Sequence, residues 1–321
     1  MPVSREQVIA YYRLILGRDP ESEAVLAEKM RHPSPPALRT ELIGSAEFAD
    51  KLKGLLAVDP GKMLVELNPP PLPIAYRASE AQLAACVAKI RAAWSHLGEE
   101  KPHFSVISKD RYLPENLAGN LDAFWASGES EAAAVEALLA RYGLGLLAGR
   151  TCVEYGCGVG RVTAGLARRF GRVHAYDISH GHLALAETHM AKTGLHNCRF
   201  HLTSDDVLAP LQICDAFYSR IVFQHNPPPM IFHLVRNALR SLAPGGIGIF
   251  QVPTYIVGYR FDIDEWIAID HPPDMQMHCL PQEVIFDLIA GENCVPLEVR
   301  EEGSTGRRDK FVSNRFVVRK V

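Results

Sequence analysis

The sequence predicts an α/β protein: a mostly parallel sheet with helices on both faces, preceded by a small all-α unit. Three observations carry this expectation. From residue 151 onward, short apolar runs alternate with helical patterns at the spacing of βαβ units. Within that region, residues 151–161, Thr-Cys-Val-Glu-Tyr-Gly-Cys-Gly-Val-Gly-Arg, run an apolar strand into three alternating glycines and then a helical pattern, Val162 to Phe170. Residues 4–52, by contrast, place apolar side chains at helical spacing only.

The glycine segment is a nucleotide-binding turn. Gly156, Gly158 and Gly160 let the backbone turn tightly and approach a ligand that a Cβ would repel, while the next helix offers free N–H groups. A dinucleotide fingerprint needs a third small residue where helix meets strand, and that position is Arg161, a long cation. An NAD-dependent oxidoreductase is therefore disfavoured. The segment resembles motif I of the class I S-adenosylmethionine (SAM) methyltransferases: a strand, an acidic residue, one further residue, then Gly-x-Gly-x-Gly. The resemblance implies a seven-stranded Rossmann-like methyltransferase sheet with strand order 3-2-1-4-5-7-6 and strand seven antiparallel. It also implies that Glu154, Gly156, Cys157, Gly158, Gly160 and Arg161 surround SAM.

Further landmarks follow in order. Strand two, Val173–Tyr176, ends in Asp177 and Ile178, where a carboxylate can accept hydrogen bonds from both ribose hydroxyls of a nucleoside. A helix from about His180 to Lys192 follows, and its two early histidines, without a third ligand at helical spacing, read as a polar face and not as a metal site. Strand three, about Cys198–Leu202, leads to Asp205, Asp206 and Val207; the resemblance implies an acidic contact to the adenine amino group and an apolar flank to the ring. Strand four, Cys214–Ser219, ends in Ser219, which the resemblance implies is a SAM contact, and precedes a loop through Pro227-Pro228-Pro229, whose prolines suit the first turn of a helix, Met230 to Leu242. Strand five is Gly246–Val252, and a helix Gln282–Ala290 precedes two strands near 297–301 and 311–318 that form an edge hairpin. The resemblance spans about residues 129–321. From Gln224-His225-Asn226 through Phe250–Tyr255 to Met275-Gln276-Met277-His278 it is closest to bacterial methyltransferases found beside glycan-assembly enzymes.

Upstream, Ser4 and Gln7 form a capping-box signature for a first helix that ends at Gly17. A second helix covers 21–31, and a third pattern runs through Glu41, Phe48 and Leu52. The run Tyr11–Pro20, with Ser45–Phe48, resembles an uncharacterised helical domain attached to bacterial surface-glycan enzymes, which implies a docking surface for a protein partner or a second copy. Residues 1–57 form this domain. Residues 58–128 form a Pro-rich linker and a helical extension, in which Glu80–Leu97 and then Ala132–Tyr142 beyond it read as helices, with Trp94 at a core position. Residues 129–321 form the methyltransferase domain, with 253–280 as an acceptor-side insertion.

Composition narrows the partners. A net charge of −3 lacks the basic excess that phosphate backbones require, so nucleic acid is excluded as a partner class. Seven cysteines without a Cys-x-x-Cys pair signal neither a disulfide framework nor a zinc site, and no metal is expected. No apolar run reaches the roughly 18 residues of a membrane span, and the first residues lack a signal-peptide core, so a cytoplasmic location is expected.

These features point to a SAM-dependent methyltransferase acting on a hydroxyl of a glycan, nucleotide sugar or related small metabolite; a noncatalytic SAM-binding module is the alternative from another class. His225, just past strand four, is the first candidate base, since imidazole titrates near working pH, and His278 is the second. Gln224, Asn226, Tyr255 and Tyr259 are the candidate acceptor contacts.

Overall fold

The computed structural model describes residues 3–48, 71–203, 209–270, 275–306 and 310–321. The chain divides into two compact units, Met1–Leu64 and Val65–Val321. In the first, α1 (Arg5–Tyr11) begins with the capping box of Ser4 and Gln7 and continues as a π-helical turn, Tyr12–Leu16, that Gly17 ends in the left-handed conformation. Ser22 caps α2 (Glu23–Lys29), and Ser34 caps α3 (Pro35–Ile43) with Pro35 in its first turn. Val8, Tyr12, Leu16, Leu26, Leu38 and Leu42 form their common core. The second helix is shorter at both ends than the sequence suggests, and the third stops at Ile43 before Gly44; Leu52 lies outside the described residues.

The second unit is built on one seven-stranded sheet: β1 (Thr151–Tyr155), β2 (Arg172–Asp177), β3 (Cys198–Leu202), β4 (Cys214–Ser219), β5 (Leu242–Ile256), β6 (Cys294–Glu301) and β7 (Phe311–Lys320). Their order is β3-β2-β1-β4-β5-β7-β6. The first five are parallel, and β7 runs antiparallel to both β5 and β6. The expected Rossmann-like methyltransferase sheet is thus present, in order and direction.

Helices cover both faces because the central strands are apolar on both faces. On one side α4 (Glu80–Glu100), α9 (Pro228–Arg240) and α11 (Gln282–Gly291) bury Leu83, Ile90, Ile231, Val235 and Ile285 against Val153, Phe217, Phe250 and Phe316. On the other, α6 (Leu121–Arg141) and α7 (Thr163–Ala167) bury Val135, Leu139 and Leu166 against Cys152, Ala216, Ile247 and Val317. Between them in chain order lie α5 (Pro102–Val106), α8 (His180–Thr193) and α10 (Ile263–Ala268). Among the described residues no helix is long and apolar enough to cross a membrane.

Several boundaries differ from the expectation, and three of them have a visible local cause. The helix expected at Ala132 begins at Leu121, since Phe124 and Gly128 continue its buried stripe. The helix after β1 contracts to Thr163–Ala167 because the chain is still turning at Val162. β5 extends to Ile256, so Pro253 to Tyr255 belong to the strand and not to the insertion; the pairing with β7 shifts register there, which accommodates a proline.

Gly128 sets how closely α6 approaches the sheet. A Cβ there would stand 1.9 Å from the Arg161 carbonyl oxygen, a backbone atom that cannot move without the β1 turn. Gly128→Ala is therefore expected to destabilise the protein by about 2 kcal/mol or more despite alanine's better helix propensity, read from denaturant unfolding.

Candidate cofactor cleft

The turn after β1 is held by β2. Gly156 and Cys157 both donate their amides to the Tyr176 carbonyl, at 2.8 and 3.0 Å, and Gly158 donates to Asp177 Oδ2 at 2.8 Å. Asp177 Oδ1 accepts the Ser179 amide at 2.9 Å. Gly156 and Gly158 sit at φ 76° and 55°, where residues with a Cβ are strained. Space forbids a side chain as well: a Cβ on Gly156 would lie 2.2 Å from Val222 Cγ2, and one on Gly158 2.5 Å from Val106 Cγ2.

Above this turn, at the carboxyl ends of β1, β2 and β4, lies a cleft of about 930 Å³ including its open mouth. α4 contributes Ile90 and Trp94 to its wall, and α5 contributes Ser105 and Val106. The extension before the sheet therefore covers the cleft, and Trp94, expected to be core packing, lines it.

One wall is ionic. Glu131, from α6, accepts from Arg161 Nη2 at 2.8 Å, from Arg220 Nη1 at 3.1 Å and from the Tyr218 hydroxyl. Arg220 also reaches Glu302 at 2.7 Å. Burial alone would raise the Glu131 carboxyl, but Arg161 and Arg220 outweigh it and hold the group below the usual carboxylate range. Glu154 behaves oppositely. It is buried under the turn with the Thr163 hydroxyl donating at 2.6 Å, and burial pushes its carboxyl up to about 8. The buried polar atoms on the wall without a hydrogen-bond partner include Arg161 Nε and His182 Nδ1. His182 Nδ1 stands 3.6 Å from Asp177 Oδ1, and its Nε2 pairs with Ser105 Oγ at 2.8 Å.

Of the residues expected at the site, Glu154, Gly156, Cys157, Gly158, Arg161, Asp177, Ile178, Ser219 and Asn226 line this cleft. Gly160 is set behind it, where a Cβ would meet Ala186 at 3.0 Å. Asp205, Asp206 and Val207 lie outside the described residues. Gln224, His225, Tyr255, Tyr259 and His278 are not on the lining.

The two histidines are engaged elsewhere. His225 Nδ1 faces the carbonyls of Met275 and Gln276 at 3.2 and 3.3 Å, so it carries the ring proton, and Gln224 Nε2 donates to Nε2 at 3.1 Å. Burial lowers this imidazole to about 4. His278 lies among Phe261, Trp266 and Tyr259 and accepts the Tyr259 hydroxyl at 2.6 Å; burial lowers it to about 3. Both rings are neutral, with their lone pairs occupied.

Glu131 and Arg220 are among the cleft residues that the sequence did not mark, and His182, expected on a polar helix face, is instead 1% exposed on the lining. A signal for Glu131 existed: it sits three residues after Gly128 and four before Val135, on the buried stripe of α6.

Residues 152–246 match the family model of a methyltransferase domain. No curated protein matches the chain. Among solved structures, magnesium protoporphyrin IX methyltransferase from Synechocystis PCC 6803 with bound S-adenosylhomocysteine (SAH) aligns at 15% identity and a TM-score of 0.52, covering 74% of this chain and all (100%) of that one. The same enzyme with bound SAM aligns at 15% identity and a TM-score of 0.50, covering 77% and 100%. Geranyl diphosphate C-methyltransferase from Streptomyces coelicolor A3(2) aligns at 14% identity and a TM-score of 0.46, covering 59% and 76%. The likeness to the first two shows the fold. Residues 152–246 thus carry a methyltransferase domain within that fold.

Glu154 makes a pH prediction. Its carboxyl is raised to about 8 in the folded protein, so between the unfolded value near 4.5 and pH 8 the native state keeps a proton that the unfolded chain releases. Stability is then full below about pH 4.5 and falls as pH rises through that window, by at most about 1.4 kcal/mol per unit. Glu154→Gln removes this contribution, so the difference in unfolding free energy between variant and parent should shift in the variant's favour from pH 5 to 8. A pH-independent difference would mean the carboxyl is ionised in the fold.

Proposed function

We propose that the cleft holds SAM with its nucleoside at Asp177 and its amino-acid end at the Glu131, Arg161 and Arg220 cluster, and that the chain methylates a polar small molecule entering along the Ser219 to Asn226 wall. The observation that carries this is the pairing, in one cleft, of a ribose-binding carboxylate with a two-signed ionic cluster that has a spare donor. Each Asp177 oxygen uses one acceptor site on the turn and keeps another for a ribose hydroxyl. Arg161 Nε is a buried donor without a partner, suited to a carboxylate, and Glu131 suits an ammonium. The backbone of the glycine turn lets a ligand approach without meeting a Cβ.

When bound, SAM supplies an electrophilic methyl on a sulfonium centre. The protein's part is to hold an acceptor atom in line with it and keep water out, which Trp94, Ile90 and Val222 serve by closing the cleft with apolar surface. A hydroxyl of a glycan, nucleotide sugar or related metabolite is the acceptor we favour. The support is the hydrogen-bonding wall of Ser219, Arg220 and Asn226, together with the resemblance of residues 11–48 to a domain of surface-glycan enzymes.

The occupied lone pairs of His225 and His278 favour a second reading, an amine acceptor, which loses its proton without a catalytic base. Incubation with methyl-labelled SAM and matched sugar, nucleotide-sugar and amine acceptors separates the two: label in the amines alone sinks the hydroxyl reading.

Calorimetric titration with SAH should show binding that Asp177→Ala weakens about 10- to 100-fold, through lost charge-assisted bonds to the ribose. Tight NAD binding with no response to SAH would overturn the cofactor assignment.

A further inference from the structure

The cleft wall that follows β4, beside the glycine turn, contains a backbone outlier. Ile221, directly after β4, lies at φ 59°, in the left-handed region that a β-branched side chain strongly disfavours, and it lines the cleft between Arg220 and Val222. Such a conformation persists only where the surroundings over-determine it. Here the constraint is one side chain. Gln251, on the neighbouring strand β5 and 1% exposed, accepts the Ile221 amide on Oε1 at 2.9 Å.

That bond orients everything behind it, because a backbone amide can only donate. With Oε1 facing Ile221, Gln251 Nε2 must donate, and it does so to Gln224 Oε1 at 3.0 Å and Ser313 Oγ at 2.6 Å. Gln224 Nε2 then donates to His225 Nε2, and the Nδ1 proton of His225 points to the carbonyls of Met275 and Gln276. The Gln224 carbonyl accepts the His278 amide at 2.7 Å. One directed chain of hydrogen bonds thus runs from the cleft wall to the segment after α10, through Gln251 and Gln224, which are 1% and 3% exposed, and the half-buried His225.

We propose that Gln251 is a positioning residue for methyl transfer: its carboxamide clamps Ile221 in the left-handed conformation that gives the 219–222 wall its shape, and the Gln224 and His225 relay anchors that clamp to the 275–278 segment. This rests on the reading of the cleft as the SAM site. It assigns Gln224 and His225 a role in holding the wall instead of a role at the reacting atoms.

The test is a double-mutant cycle between Gln251→Met, which keeps the bulk and removes the amide, and Ile221→Gly, which adopts a positive φ without a clamp. SAH affinity by calorimetry, the thermal midpoint and the exchange rate of the residue 221 amide are read for each. Gln251→Met is expected to weaken SAH binding about tenfold in the parent and less than about threefold in the Ile221→Gly background. Ser313→Ala, which removes a different bond of the same carboxamide, is expected to lower the midpoint while SAH affinity stays within twofold.

Equal losses in both backgrounds, or an equal loss in Ser313→Ala, would overturn the clamp and leave Gln251 a packing residue. If Gln251→Met does not fold, exchange of the Ile221 amide in the unaltered protein decides: protection like that of β4 supports the clamp, and exchange as fast as an open loop sinks it. Absence of SAH binding by the unaltered protein would fail the cofactor reading, whereas the amide readout tests the clamp independently.

Discussion

The carboxylate of Asp177 is the pivot on which the cleft depends. It ties the Gly158 and Ser179 amides together, and so joins the turn after β1 to the turn after β2 across the adjacent parallel strands. Without this bridge the three glycines would be free to sample many conformations, since each can occupy either half of backbone space. With it, the turn is narrow enough that Val222 and Val106 fill the volume a side chain would take. The residue that would meet the ribose is also the residue that builds the surface on which the ribose would lie.

Around that pivot the protein handles its buried carboxylates in two ways. Glu131 is flanked by two guanidinium groups and a phenol and stays charged; only the loss of both arginines would leave an uncompensated buried charge, a situation that typically costs about 3–5 kcal/mol. Glu154 has only the Thr163 hydroxyl in direct contact, and burial keeps its proton on near neutral pH. A neutral acid beneath the turn and a charged one at its side give a ligand of mixed charge a graded wall. The arrangement also explains why Arg161 occupies the place where a dinucleotide fingerprint has a small residue: its guanidinium reaches out to Glu131 on α6 instead of packing between helix and strand.

Polar groups away from the ionic wall are used for rigidity. His225 and His278 have low proton affinities because they are desolvated, and both nitrogens of His225 and Nδ1 of His278 face defined partners. A protonated His225 would present a second donor to the Gln224 amide donor. Such fully satisfied buried networks fix a single arrangement, and a single lost partner leaves the others unpaired.

Much of the fold was legible along the chain. The bounds of β1, β3 and β4 coincide with the strands read from sequence: β1 and β4, buried on both faces, are mostly apolar, whereas the edge strand β3 alternates apolar residues with Arg199 and His201. The capping box at Ser4, the prolines that start α9 and the Gly156–Gly160 turn are local signals with local causes, so they too can be read without a structure. Nine of the expected site residues, Asp177 and Asn226 among them, line the cleft because strand ends and the turns after them locate a ligand in this architecture. What sequence could not decide were matters of distance between remote segments. Glu131 meets Arg220 across 89 positions, and Gln251 meets Ile221 across 30. His225 is near the cleft in sequence but turned away from its lining, because Gln224 and the 275–276 carbonyls claim both its nitrogens. The chain by itself determined the sheet, the glycine turn and the acid of the second strand, since each follows from residues within a few positions of one another. Only the tertiary structure decided which charges are paired, which histidines are spent and which strained residue is held, because those outcomes depend on burial and on partners that the sheet brings together.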